Sequence, residues 1–310
     1  MKNYYELVDA NKTKSNLVVI GFIAFITISA YLIAYSLGYG LSFVGFALIM
    51  SGVLSLGGYY YSDKIILGLS GAHPATRSEH FDFYTVTENI SHAAGLPMPK
   101  LYVIEDTAMN AFATGRDPDH AVICATSGIL ANLKRTELEG VIGHELSHIK
   151  NYDIRLMGIV TVLIGVITLL ADYLLRFSFI GGGRRRDRDD NGQLGAVLMV
   201  AGLILALLSP LIANLIKLAI SRRREFLADA SSAALTKYPE GLASALEKLA
   251  KDREPLEAAN KATAHLYICN PFHLDSSTRP VKRERSGVDW FSGLFNTHPP
   301  IEERIQALRS

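Results

Sequence analysis

Four apolar runs constrain this chain more than any other feature of its sequence. They cover residues 17–37, 41–61, 157–175 and 194–216. Each run is close to the roughly 20 residues that a helix needs to cross the hydrocarbon core of a bilayer. Hydrophobic residues make up 49% of the chain, and its mean hydropathy is +0.20. The pattern predicts an α-helical membrane protein with four spans.

The distribution of basic residues predicts the orientation of the first two spans. Three lysines precede the first run and Lys64 follows the second, whereas the turn at 38–40 carries no charge. Because basic residues are enriched on the cytoplasmic side, we expect the N-terminus and the residues after 62 to face the cytoplasm. The loop between the third and fourth runs contains five arginines, which opposes this bias if both runs cross. A re-entrant hairpin is the alternative there.

The apolar runs divide the chain into four parts. An N-terminal transmembrane hairpin (1–62) precedes a polar part (63–155), and a second hairpin with a basic loop (156–220) precedes another polar part (221–310). In the first polar part, "KLYVIED", "NAFATG" and "HAVICAT" have the composition of strands. We therefore expect a mainly helical domain that carries a small β-sheet. The net charge of +1 gives no electrostatic case for binding nucleic acid.

The segment "VIGHELSHIK" at 141–150 carries the clearest chemical signal. His144 and His148 are four residues apart, so they project from one face of a helix, with Glu145 beside them. Two imidazoles at this spacing can bind one Zn²⁺. Glu145 can then act as the general base for a zinc-bound water.

The helix that carries these histidines is expected to be long. A capping box, formed by Thr136 and Glu139, opens it, and its apolar residues follow the helical period. Apart from Gly158, no glycine or proline separates the HExxH motif from the third apolar run. We therefore expect the helix to continue without interruption into the third apolar run, with the histidines about 13 Å from the start of that run.

A catalytic zinc site needs a third protein ligand, and the sequence offers one after the fourth apolar run. In "SRRREFLADASSAAL", Glu225 and Asp229 are again four residues apart on one helical face. Glu225 is the predicted third ligand, and Asp229 is expected to accept the outward N–H of a ligand histidine. The alternative is that both carboxylates pair with the arginines at 222–224 on a solvated face.

Together these residues resemble the HtpX-type membrane metalloproteases, relatives of the prenyl-protein endopeptidases. The matching features cover nearly the whole chain: a pair of N-terminal spans, "NAFATG", "GHELSHIKNYD", a second apolar pair, "REFLAD" and "THPPIEERIQAL". The resemblance implies a zincin-like (gluzincin) cytoplasmic catalytic domain with one Zn²⁺ per chain, bound by His144, His148 and Glu225. It also implies Glu145 as the catalytic base and Asp229 as the partner of a ligand histidine.

Two further segments gain a predicted role from the resemblance. "NAFATG" has the small residues of an edge strand, to which an extended substrate could pair by β-augmentation; an ordinary internal strand is the alternative. The candidate substrate contacts are Asn110, Ala111, Phe112 and Ala113. His298, in "NTHPPIEER", is predicted to act in catalysis by donating to the oxyanion of the tetrahedral intermediate. Arg304, on the following helix, is expected to position His298 or the substrate.

The resulting expectation is a multi-pass zinc metalloendopeptidase of the cell inner (plasma) membrane, with its catalytic site on the cytoplasmic side. The implied substrates are misfolded or damaged membrane proteins and unfolded polypeptides, cut in cytoplasmic or juxtamembrane segments during quality control and the stress response. A prenyl-protein endopeptidase and a non-catalytic scaffold that keeps a metal site are the alternatives. Glu145 argues against the scaffold, because a structural zinc needs no base. The sequence predicts no oligomeric state.

Overall fold

The chain folds into a mainly helical structure with one small β-sheet, as predicted. The computed structural model describes residues 4–36, 42–181, 222–259, 263–269, 271 and 299–310. Its helices are α1 (Tyr4–Ser36), α2 (Ser42–Tyr60), α3 (Ser62–Leu69), α4 (Phe81–Ala94), α5 (Ser127–Asn132), α6 (Arg135–Lys150), α7 (Asp153–Gly181), α8 (Arg222–Thr236), α9 (Pro239–Lys251) and α10 (Ile301–Arg309). Its strands are β1 (His73–Pro74), β2 (Lys100–Ile104), β3 (Ala111–Gly115) and β4 (Ala121–Thr126).

Helix α1 contains the one segment among the described residues that is long and apolar enough to cross a membrane, Asp9–Ser29. Helix α2 packs along α1 and contains a shorter apolar stretch, Leu48–Tyr60. Large apolar side chains of that stretch, such as Val53 and Leu56, are exposed. The third predicted span lies within α7, and the fourth, 194–216, lies outside the described residues. The presence of four spans therefore stays a prediction.

The sheet has the strand order β1-β2-β4-β3. Strands β2 and β4 are parallel, whereas β1 and β3 run antiparallel to their neighbours. Strand β3 is an edge strand, as "NAFATG" predicts, but all five of its residues are buried. The N–H of Ile268 donates to the carbonyl of Ala111 at 3.0 Å, so a later segment of the chain lies against the start of this edge.

Alternating residues of the sheet contribute to two apolar clusters. One face packs against α4, α6 and α9, and the other packs against α1, α3 and α7. The first cluster includes Phe83, Val103, Ile123, Val141, Leu146 and Leu246. The second includes Phe22, Ile66, Phe112, Val160, Ile164 and Tyr267. The sheet therefore fixes α6 against one face while the apolar helices α1 and α7 pack behind the other.

The prediction of one uninterrupted helix from the HExxH motif into the third apolar run is wrong. Helix α6 ends at Lys150 and α7 begins at Asp153. Tyr152 lies between them with a φ of 58°, in the left-handed region that a right-handed helix cannot include. The break is held by contacts from α1, because Asn11 donates to the Asn151 carbonyl at 2.9 Å and to the Asp153 carboxylate at 2.8 Å.

The start of α6 also differs from the predicted capping box. The N–H of Lys134 donates to the carboxylate of Glu137 at 2.6 Å, so Glu137 takes the role that the sequence assigned to Glu139. The same carboxylate accepts from Lys248 at 2.7 Å and from Ser244 at 2.8 Å, both on α9. These partners are distant in sequence, and they hold the first turn of α6 against α9.

Gly140 allows α6 and α9 to approach closely, and its replacement tests this packing. A Cβ at Gly140 would lie 2.6 Å from the backbone nitrogen of Leu242. We expect Gly140→Ala to lower the free energy of unfolding by about 1–3 kcal/mol, as overpacking does. Gly68→Ala in α3 is the control, because a Cβ there meets nothing within 4 Å. Denaturant unfolding in detergent that ranks the two variants equally would contradict this account of the helix pair.

Candidate metal centre

Three buried side chains converge between α6 and α8. The Nε2 atoms of His144 and His148 are 3.2 Å apart. The Glu225 carboxylate of α8 lies 3.7 Å from the first of these nitrogens and 3.6 Å from the second. One ligand atom from each residue lies within 4.8 Å of the others, so the three could hold a metal ion. Two imidazole nitrogens and one carboxylate are a donor set that suits zinc with one open position.

Small residues bring α8 close enough to complete this cluster. A Cβ at Gly143 would lie 2.7 Å from the hydroxyl oxygen of Ser232. That hydroxyl donates to the Gly140 carbonyl at 2.6 Å. Since glycines occupy both contact positions on α6, α8 lies directly against it, with Glu225 beside the two histidines.

Asp229, supported by Arg304, fixes the ring of His144 through its Nδ1 atom. The Nδ1 atom of His144 lies 2.9 Å from an Asp229 carboxylate oxygen. Arg304, which is fully buried, donates to both oxygens of Asp229, at 2.8 and 2.7 Å. Burial alone would raise the pKa of Asp229, but these hydrogen bonds outweigh it and lower the pKa to about 2. With Nδ1 occupied by an anionic carboxylate, Nε2 of His144 is directed toward the cluster.

Asp153 plays the corresponding part for His148. Its carboxylate lies 3.0 Å from Nδ1 of His148 and accepts from Arg224 at 2.8 Å. Burial would lower the pKa of His148, but the hydrogen bond to Asp153 and the charge of Glu225 outweigh it and raise the pKa to about 9. Each histidine of the cluster therefore has its own buried carboxylate partner.

Glu145 lies between the cluster and the edge strand. It is buried, and its carboxylate accepts a hydrogen bond from the backbone N–H of Ala113 in β3. Burial raises the pKa of Glu145 to about 7, with a further increase from Glu225 and an opposing effect of His148. A carboxyl with a pKa near neutrality can both take up and release a proton at physiological pH, as a general acid–base group must.

The remaining predicted residues are placed as follows. The carbonyl of Asn110 accepts a hydrogen bond from the N–H of Thr126 in β4. Because backbone groups of alternate residues face the same neighbouring strand, those of Phe112 also face β4. Ala111 and Ala113 face the free edge. The Phe112 ring is buried in an edge-on contact with Tyr267, with ring centroids 5.1 Å apart. His298, the other residue predicted to act in catalysis, lies outside the described residues.

Sequence reasoning did not identify two polar partners of the cluster. Arg304 was expected to position His298 or the substrate, but its side chain binds Asp229. Asp153 lies inside the "GHELSHIKNYD" segment, yet on an uninterrupted helix it would point about 140° away from His148. Because the helix breaks at Tyr152, the Asp153 carboxylate instead lies 3.0 Å from Nδ1 of His148.

The buried pair of Arg304 and Asp229 predicts a specific dependence of stability on pH. Because the pKa of Asp229 is about 2, below its ordinary value of 3.8, its stabilising contribution is complete above pH 3.8 and is lost as the pH falls through 2. In Arg304→Gln the pKa of Asp229 rises, so acid unfolding should occur at a higher pH. At neutral pH the free energy of unfolding should fall by about 3–5 kcal/mol.

Arg309→Gln is the matched control for this prediction. Arg309 is on the same helix, but its pairs with Glu240 and Glu247 are exposed. Exposed pairs contribute little to stability, so this variant should unfold like the wild type. Circular dichroism as a function of pH, with a chelator present, distinguishes the two. Equal shifts in both variants would contradict the buried-pair account.

Comparison with known proteins gives a family match, matches to sequence relatives and a match to a solved structure. The model of peptidase family M48 matches residues 79–310. A protease HtpX homologue of Dictyoglomus turgidum is 46% identical over 308 residues, covering 99% of this chain and 94% of the relative. One from Thermoanaerobacter pseudethanolicus is 42% identical over 311 residues, covering 100% and 98%. The crystal structure of S. mikatae Ste24p aligns with a TM-score of 0.48 and 19% identity, covering 97% of this chain and 66% of that protein.

The family match covers His144, His148, Glu225 and Arg304, and the matches to the two HtpX homologues extend over nearly the full length of those relatives. The family implies a metal, usually zinc, and the cluster of His144, His148 and Glu225 could hold one. The chain belongs to peptidase family M48 and is a membrane-associated metallopeptidase.

Proposed function

We propose that this chain is a zinc-dependent endopeptidase that cleaves loosely folded cytoplasmic or juxtamembrane segments of misfolded or damaged membrane proteins. Such an activity would serve protein quality control and the stress response. The observation that supports it best is the convergence of His144, His148 and Glu225, with Glu145 between them and an edge strand. The donor set fits one zinc ion per chain.

In this proposal His144, His148 and Glu225 are the zinc ligands. A zinc ion held there supplies Lewis-acid chemistry, polarising the scissile carbonyl and lowering the pKa of water. Asp229 keeps the Nδ1 proton of His144, so that Nε2 stays free to bind. Glu145 takes a proton from the attacking water and delivers it to the leaving amine, a role that suits its pKa of about 7. His298 is proposed to donate to the developing oxyanion.

The substrate is proposed to bind in an extended form along β3. Its main-chain contacts would be with Ala111 and Ala113, whose backbone groups face the free edge, while Asn110 and Phe112 hold the strand against β4. The carbonyl of Ala111 already accepts from Ile268, so a pairing substrate would replace that bond. An extended backbone is available only in unfolded or flexible segments, which accounts for the preference for damaged proteins.

Replacing the base should separate chemistry from metal binding. In Glu145→Gln the proton acceptor is lost while the three ligands remain, so peptide hydrolysis should fall by on the order of 10²–10⁴-fold with zinc content unchanged. Glu225→Ala should lose the zinc itself. The measurement is zinc content of the purified protein together with cleavage of an unfolded polypeptide.

Glu139→Gln is the control for this pair. Glu139 lies on the same helix, but it is partly exposed and pairs with Arg135 at 3.7 Å. It should keep both zinc and activity. Near-normal turnover by pure Glu145→Gln would remove the assignment of the base, and full zinc in Glu225→Ala would place the third ligand elsewhere.

The proposed topology puts the catalytic site in the cytoplasm. Because Cys124 and Cys269 are both buried, single introduced cysteines can be followed with a thiol probe that does not cross the membrane. From outside the cell, Tyr39→Cys should be labelled and Asp119→Cys should not. Asp187→Cys should be labelled if the third and fourth apolar runs both cross. Labelling of Asp119→Cys would reverse the orientation, and an unlabelled Asp187→Cys would favour a re-entrant hairpin.

A further inference from the structure

The buried side-chain amide of Asn11 connects the N-terminal helix α1 to the candidate metal centre. Asn11, near the start of α1, donates from Nδ2 to the Asp153 carboxylate at 2.8 Å and to the Asn151 carbonyl at 2.9 Å. Its side chain is buried, and it lies near the start of the apolar segment Asp9–Ser29. A buried asparagine on such a helix is costly unless its polar atoms are paired, so this contact is specific.

Asp153 is the residue through which Asn11 reaches the centre. One of its carboxylate oxygens faces Nδ1 of His148 at 3.0 Å. The other accepts both from Asn11 and from Arg224, each at 2.8 Å. A buried carboxylate that loses such a donor is left poorly compensated and shifts away from its present position. The orientation of the His148 ring therefore depends on donors from two distant segments, α1 and α8.

Helix α1 also supports the turn that carries Asp153. The amide of Asn11 binds Asn151, and the ammonium of Lys12 lies 4.4 Å from the centre of the Tyr152 ring. Tyr152 holds its φ of 58°, which is unfavourable for a bulky residue and persists only where its surroundings enforce it. Asn11 and Lys12, successive residues of α1, thus contact both residues that separate α6 from α7 and the first residue of α7.

We propose that Asn11 is a positioning residue of the metal centre. It holds Asp153 so that the carboxylate fixes the His148 ring with Nε2 toward the metal. This proposal rests on the proposed function, since it takes His148 as a zinc ligand. The N-terminal helix then forms part of the catalytic unit in addition to its association with the membrane.

A simpler reading is that Asn11 only fastens α1 to the rest of the protein, and Asn16 provides the control for it. Asn16 lies further along α1 and accepts from Arg155 of α7 at 3.0 Å. That contact also joins α1 to α7, but it is exposed and does not involve Asp153. Removing it weakens the docking of α1 without changing the partners of His148.

The test compares Asn11→Leu, Asn11→Gln and Asn16→Leu in the full-length protein. Zinc affinity is measured by competition with a chelator, and the geometry of the site by the absorption spectrum of the cobalt-substituted protein. We expect Asn11→Leu to weaken zinc binding by roughly 10-fold or more, the range found when a residue that orients a metal ligand is replaced. It should also alter the absorption spectrum. Asn11→Gln, which keeps an amide, should recover part of the loss. Asn16→Leu should match the wild type in both measurements.

The outcomes separate this inference from the proposed function. Equal zinc affinities and spectra for Asn11→Leu and Asn16→Leu would overturn the positioning role. If Asn11→Leu does not fold, Asn11→Ser replaces it, because its hydroxyl is too short to reach Asp153, and wild-type affinity in that variant overturns the role equally. His148→Ala with undiminished zinc would instead refute the metal assignment, and with it the proposed function.

Discussion

The burial of three carboxylates beside two histidines is the constraint on which the rest of the structure depends. Glu225, Asp229 and Asp153 are all nearly inaccessible to water, and a buried charge is tolerated only with close partners. Those partners come from distant parts of the chain. Arg304 approaches from α10, Arg224 from α8 and Asn11 from α1. Both ends of the chain are therefore tied to the centre by the need to compensate its charge.

The parts of the site that sequence could predict are those set by local geometry. His144 and His148 share a helix face because they are four residues apart, and the same spacing places Glu225 and Asp229 together. The edge position of "NAFATG" was likewise indicated by its short run of small residues. The solvated alternative for Glu225 and Asp229 is excluded, because both are buried among the histidines.

The parts that could not be predicted depend on contacts between distant residues. The capping residue of α6 is Glu137 because Lys248 and Ser244 of α9 also bind it. The break at Tyr152 is stabilised by α1, and periodicity carries no information about that contact. Since the break was not predicted, nothing in the sequence placed Asp153 beside His148. The role of Arg304 required knowing that α10 packs against α8.

The hydrogen bond between Ile268 and Ala111 has a consequence for association between copies of the chain. An open strand edge is a template for pairing with other chains and a route to aggregation. Here the β3 edge is engaged by Ile268 at Ala111 and by Glu145 at Ala113, while the opposite edge is the two-residue strand β1, which ends in Pro74. Neither edge of the described sheet therefore offers a long row of unpaired groups, and another strand, whether from a substrate or from a second copy, can pair at Ala111 only by displacing the hydrogen bond from Ile268.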